Sequence, residues 1–137
     1  MKRRESVSAI MTKDPISVNV TNKVSEVADI FNERNIHHIP VVSGEKLIGI
    51  ISKTDIERIS YVSNVQDEKA NTAIYDMLKI EQVMTDQVDT VQESDEIRDA
   101  ARKFAKGSYH ALPVLEGEKL SGIVTTTDVI KYLLDQY

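Results

Sequence analysis

Residues 49–56 read GIISKTDI and residues 122–129 read GIVTTTDV, so a glycine, a Ser or Thr, a second Thr and an Asp recur in one order 73 positions apart. These residue types at this spacing suit a sugar phosphate. Hydroxyls both donate and accept hydrogen bonds, whereas an ionised carboxylate only accepts them, which fits it to a vicinal diol such as ribose. The first copy is expected to run as a strand to Ser52, with Thr54 capping the next helix and Asp55 in its first turn. A helix start offers unpaired backbone N–H groups and the positive end of a dipole, both favourable to phosphate. Ser52 and Thr54 alternate along the expected strand end and should point to one side. Together these features suggest a nucleotide.

The same letters have a reading that needs no ligand. Thr54 and Glu57 are spaced as a capping box, in which the two side chains satisfy amides at the helix start. In the second copy the matching position is Ile130, so that box is broken while Thr125, Thr127 and Asp128 persist. Gly49 and Gly122 also recur inside apolar runs, where glycine weakens a strand and often marks close approach of a ligand or another backbone.

Both phrases belong to a longer duplication. A shift of 73 residues aligns residues 8–58 with 81–131 without a gap, placing Met11 on Met84, Thr12 on Thr85, Phe31 on Phe104, His37 on His110 and Pro40 on Pro113. Such self-similarity is the strongest organisational signal in the chain. A unit of about 50 residues is marginal as an independent fold, so the copies are expected to pack together as one α+β module about a pseudo-twofold axis. Each copy should form strand, helix, strand, strand and helix. PISVNV and VDTVQE read as short exposed or edge strands. Val24, Val27, Ala28 and Phe31 make one apolar helical stripe that Ile97, Ala100, Ala101 and Phe104 repeat, with Asn35 and Gly107 as left-handed stops. HHIPVV and HALPVL, each followed by a Gly-containing segment and a second apolar run, read as β-hairpins. The divisions are residues 7–60, a connector at 61–79, and 80–137. Within the connector, Ala70, Ala73, Ile74, Met77 and Leu78 have helical spacing.

Composition narrows the function. At 41% hydrophobic and 28% charged residues, the 137-residue chain is of ordinary globular composition. A formal net charge of −5 disfavours a general nucleic-acid binder. No run of 18 apolar residues occurs, and MKRRESVSAIM lacks a secretory core and cleavage site, so a cytoplasmic location without membrane contact is expected. The absence of cysteine removes thiol nucleophiles and thiolate metal sites. His37 and His38 are adjacent on an expected strand and point to opposite faces, a poor arrangement for a metal. Neither a Walker loop, GxGxxG nor GxSxG is present, and no enzyme activity is expected. Tyr61, Tyr75, Tyr132 and Tyr137 fall on or near expected helices, where they would pack an interface or line a surface.

The doubled unit, with HHIPVV leading to GIISKTDI and HALPVL leading to GIVTTTDV, resembles the CBS domain family, and the chain looks like a free-standing tandem pair. The resemblance implies a regulatory module with two clefts, often dimeric, that binds adenosyl ligands such as AMP, ADP, ATP or S-adenosylmethionine and catalyses nothing. By position it implies that Asp55 and Asp128 hold ribose, and that Ser52, Thr54, Thr125 and Thr127 meet ribose or phosphate. It places Ser8 and Ile36, or Glu81 and Tyr109, along the adenine slot. His37 and His38 before Pro40, and His110 before Pro113, fall where basic residues meet phosphate. Ala111 replaces the second basic residue of that pair, while Lys13 and Lys53 correspond to Asp86 and Thr126. The first cleft is therefore expected to prefer phosphorylated adenosine. The regulated target is expected to be another chain or the protein's own assembly, a homodimer. The rival expectation is a scaffold or dimerisation module whose clefts bind nothing.

Overall fold

The computed structural model describes residues 4–63 and 73–137, with the backbone alone for 60–63. A short 3-10 turn at Val7–Ala9 and β1 (Thr12–Lys13) precede the first copy, which runs β2 (Val18–Asn19), α1 (Val24–Glu33), β3 (His38–Ser43), β4 (Lys46–Ser52) and α2 (Lys53–Ser63). After α3 (Ile80–Val83) the second copy runs β5 (Val91–Gln92), α4 (Ile97–Lys106), β6 (Ala111–Glu116), β7 (Lys119–Thr125) and α5 (Thr126–Asp135). The architecture is α+β, and each copy has the expected element order. Of the connector, Ala70 lies outside the described residues, residues 73–76 are helical, and Leu78 packs against a core.

The chain divides into two compact units, and they are not the two sequence copies. One is Ile16–Gln87; the other joins the N-terminal segment through Pro15 to Val88–Tyr137. Each copy thus packs with the lead segment of the other, so that Met84–Thr85 sits with the first copy and Met11–Thr12 with the second.

In the unit of Ile16–Gln87, β2 is parallel to β3, and β3 is antiparallel to β4. The other long edge of β4 receives Thr85, whose N–H donates to the Ile50 carbonyl at 2.9 Å while Ile50 N–H donates to the Thr85 carbonyl at 3.0 Å. Val24, Val27, Ala28 and Phe31, the predicted stripe of α1, are buried with Val18, Ile39, Val41, Ile51, Ile56 and Ile80. Spacing at i, i+3, i+4 and i+7 puts that stripe on one helical face, and removing it from water is its main stabilisation.

In the other unit, β5 is parallel to β6, β6 antiparallel to β7, and β7 antiparallel to β1 with Thr12 opposite Ile123 and Lys13 opposite Gly122. Val7, Val91, Ala100, Leu112, Val114, Val124 and Val129 form the core, with Ala101 and Phe104 packed at its margin. Both hairpins turn at a glycine in the left-handed region, Gly44 and Gly117, each at φ 65°. The expected left-handed stops of α1 and α4 do not occur. Arg34 caps α1 at φ −122° and Gly107 caps α4 at φ −93°, both in extended backbone. Gly107 is needed for space instead, because a Cβ there would lie 2.5 Å from the Tyr109 ring.

Candidate functional site

The repeated phrase folds as a strand-to-helix corner in each unit. β4 ends at Ser52 and α2 begins at Lys53; β7 ends at Thr125 and α5 begins at Thr126. Ser52 and Thr125, not Thr54 and Thr127, are therefore the caps. Ser52 N–H donates to Asp55 Oδ2 at 2.9 Å, and Asp55 N–H donates back to Ser52 Oγ at 3.1 Å. Thr125 N–H donates to Asp128 Oδ2 at 2.9 Å and Asp128 N–H to Thr125 Oγ1 at 3.2 Å. Each Asp closes a capping box with the residue three before it. Because Thr54 and Thr127 already lie in helix, the strand alternation expected to align Ser52 with Thr54 does not apply.

This geometry gives the two aspartates a structural task that other helices share. Glu26, Gln82 and Asp99 likewise receive the N–H three residues before them, at 3.1, 2.8 and 2.9 Å. What sets the two corners apart is the hydroxyl on the capping residue, where α1, α3 and α4 have Lys23, Lys79 and Glu96. Each of those hydroxyls accepts one bond and still has its proton to donate, and each carboxylate uses one oxygen for the cap. Asp55 Oδ1 is 4.0 Å from Arg58 Nη1. Arg58 is exposed, and such a pair contributes little.

The amide row expected at the helix tips is mostly occupied. Lys53 N–H donates to the His37 carbonyl at 2.8 Å, and Thr126 N–H to the His110 carbonyl at 3.0 Å. With Asp55 and Asp128 N–H taken by the caps, the first turn of each helix is left with the amides of Thr54 and Thr127. Both threonines are exposed. A phosphate at either corner would be met by that single amide and the threonine hydroxyl rather than by a nest of N–H groups.

The other predicted site residues divide between the units. His37 is exposed and His38 half-buried at the start of β3, in one unit with Ile36, Lys53 and Glu81. Ile36 packs against the core, and Glu81 is exposed on α3. Ser8, Tyr109 and His110 share the unit of Thr125, Thr127 and Asp128, so the pairing of Ser8 with the first copy is replaced by pairing with the second. The antiparallel register of β1 on β7 carries the chain before Thr12 toward Thr125, the end at which Asp128 stands. Ser8 Oγ lies 2.6 Å from Ser6 Oγ. The same exchange moves Lys13 to the unit of Asp128 and Asp86 to that of Asp55, which undercuts half of the charge asymmetry expected between the copies. Pro40 and Pro113 are fully buried and have no solvent-facing surface to offer a ligand. β3 begins at His38, and β6 begins just after His110.

Tyr109 is tied down by contacts that periodicity did not reveal. Its hydroxyl donates to Asp89 Oδ2 at 2.7 Å, and Lys103 Nζ donates to Asp89 Oδ1 at 2.9 Å and to the Thr90 carbonyl at 2.8 Å. The Tyr109 ring meets Phe104 edge-on at a centroid distance of 6.1 Å. Partial burial first, then the Asp89 carboxylate, push the phenol up to about 12, while Lys103 and then Tyr109 hold Asp89 below its ordinary value.

An open cavity of about 590 Å³ lies in the unit of Ile16–Gln87, lined by Val20, Lys23, Leu78, Lys79 and Glu81 among others. Of the sequence-predicted site residues only Glu81 borders it, so the cavity and the Ser52–Asp55 corner are separate features. Among the described residues no helix is long and apolar enough to cross a membrane.

The sequence profile of the CBS domain matches residues 7–61 and 80–135. The chain belongs to the CBS domain family and carries two copies of the domain. Homoserine O-acetyltransferase of Methanocorpusculum labreanum is 34% identical over 112 residues, which is 81% of this chain and 20% of that protein. L-aspartate semialdehyde sulfurtransferase of Methanocaldococcus jannaschii is 31% identical over 125 residues, 90% of this chain and 22% of that protein. The chain thus spans about a fifth of the length of these curated relatives. The fold is also that of a solved structure, the CBS domain pair of protein MJ0100 in complex with 5′-methylthioadenosine and S-adenosyl-L-methionine. It superposes with a TM-score of 0.81 at 28% identity, covering 98% of this chain and all of that one.

Proposed function

We propose that the chain is a regulatory module that binds an adenosine-containing ligand at the Ser52–Asp55 and Thr125–Asp128 corners and has no catalytic activity. The observation that carries this reading is the duplicated hydroxyl–carboxylate cap. In both units a Ser or Thr whose proton is not used by the cap adjoins an Asp whose second oxygen takes no part in it, a pairing suited to the two hydroxyls of a ribose. His37, His38, Lys53 and Thr54 beside the first corner favour a phosphorylated ligand, AMP, ADP or ATP. Binding would shift the protein between arrangements only in so far as the ligand prefers one of them. The output is a regulated partner or the protein's own assembly as a homodimer, in the cytoplasm and without nucleic acid or membrane.

S-adenosylmethionine is the second reading. The MJ0100 domain pair binds it together with 5′-methylthioadenosine, and Ala111 leaves the second corner less basic than the first.

A thermal-shift panel of AMP, ADP, ATP, S-adenosylmethionine and 5′-methylthioadenosine tests both. A ligand that binds the native state raises its melting temperature in a concentration-dependent way. A rise with the phosphorylated compounds supports the first reading, and a rise confined to the other two supports the second. No rise with any compound leaves the scaffold or dimerisation role in place of both.

A further inference from the structure

Asp89, Lys103 and Tyr109 correspond, at the repeat spacing of 73, to Ile16, Ile30 and Ile36. The two copies therefore hold the same place in the fold by different means. In the first, Ile30 and Ile36 pack against the core and Ile16 is half-buried beside β2. In the second, a lysine, a carboxylate and a phenol make a connected set of hydrogen bonds of 2.7 to 2.9 Å from α4 through the chain before β5 to the chain before β6. The next residue after Tyr109 is His110, whose carbonyl accepts the Thr126 N–H at the tip of α5. Thr126 in turn adjoins the Thr125–Asp128 cap.

We propose that Asp89 and Lys103 are positioning residues for the Thr125–Asp128 corner, acting through Tyr109 and the carbonyl of His110. The proposal rests on the reading of that corner as a ligand site. Apolar packing tolerates small shifts, whereas a hydrogen bond fixes distance and direction. The Tyr109 hydroxyl is anchored to a carboxylate that Lys103 itself fixes, so the 107–110 segment has one preferred placement. Gly107 lets the Tyr109 ring lie against the chain at that point. The second corner is thus built around a polar anchor, where the first has Ile30 and Ile36 packed against its core.

Amide hydrogen exchange of the full chain without ligand tests the positioning. In Tyr109→Phe and in Asp89→Asn, Thr126 is expected to exchange about tenfold faster, the loss of one charge-assisted hydrogen bond discounted for exposure. Lys53, whose acceptor is the His37 carbonyl, should be unchanged. Replacing Asp89, Lys103 and Tyr109 together by isoleucine, as in the first copy, should return Thr126 to within about twofold of the parent, since packing again holds the segment. If the triple variant does not fold, the two single variants decide. An unchanged Thr126 rate in both, or equal acceleration of Thr126, Lys53 and core amides, overturns the proposal. The second arm titrates AMP and S-adenosylmethionine into these variants in an Asp55→Asn background, which reads the second corner alone, and follows whichever compound binds there. A loss of about threefold to tenfold in affinity supports positioning, and unchanged affinity contradicts it. A parent protein that binds neither AMP nor S-adenosylmethionine sinks the ligand reading, while the exchange rates still show whether Asp89 fixes the segment.

Discussion

Met84 lies across Gly49 so closely that a Cβ at that glycine would stand 2.5 Å from the Met84 sulfur and 2.9 Å from the Thr85 carbonyl oxygen. Met11 and Thr12 stand in the same relation to Gly122, at 2.6 and 2.8 Å. A side chain can swing away, but the carbonyl oxygens belong to backbone that pairs with β4 and β7 and have little freedom to yield. The two glycines in the repeated phrase are thus accounted for by the lead segments that cross them, and not by a ligand.

Gly49→Ala and Gly122→Ala should each destabilise the fold by about 2 to 3 kcal/mol, the upper part of the range for overpacking. Gly44→Ala meets nothing within 4 Å and bears only the strain of its φ of 65°, about 1 kcal/mol. Urea unfolding of the three variants checks the order. Equal costs at Gly44 and Gly49 would show that the lead segment moves aside freely.

The caps predict a distinction between aspartate variants. Asp55→Ala and Asp128→Ala each remove the acceptor for the capping residue's N–H and should cost about 1 kcal/mol. Asp55→Asn and Asp128→Asn keep a carbonyl oxygen for that N–H and should cost less. Thermal melts without ligand measure the difference, and a cost of zero in both alanine variants would contradict the capping geometry.

The Tyr109–Asp89 pair sets a pH dependence at each extreme. The phenol ionises at about 10 when unfolded and about 12 in the fold, so its contribution is complete below about 10 and is lost as pH rises toward 12. The folded carboxylate of Asp89 is held below its unfolded value of 3.8. Its contribution is therefore present above that value and lost as pH falls through the folded one. Stability measured across pH 9 to 12 should decline less steeply in Tyr109→Phe than in the parent. Parallel curves would rule out a Tyr109 contribution.

Much of the fold was legible because its signals are local. The stripe Val24, Val27, Ala28 and Phe31 has one period, and the hairpins at Gly44 and Gly117 join two short apolar runs. The cap falls two residues before the expected one because two boxes overlap in SKTDIE, one from Ser52 to Asp55 and one from Thr54 to Glu57. The duplication held the answer, since only the Ser52–Asp55 spacing survives as Thr125–Asp128. The exchange of lead segments was not legible at all. Thr12 pairs with a strand more than 100 residues later, and alignment of the copies places it with its own copy. The bonds that tie Tyr109 and Lys103 to Asp89 join three separate stretches of chain and leave no periodic trace.

Isothermal titration of AMP, ADP, ATP, S-adenosylmethionine and 5′-methylthioadenosine into the parent chain and into Asp55→Asn/Asp128→Asn tests the ligand reading most directly. The expected result is saturable binding of at least one compound by the parent and its loss in the double variant, with both proteins folded by circular dichroism. Binding of equal strength in both, or none to the parent, would leave the paired carboxylates as helix caps and nothing more.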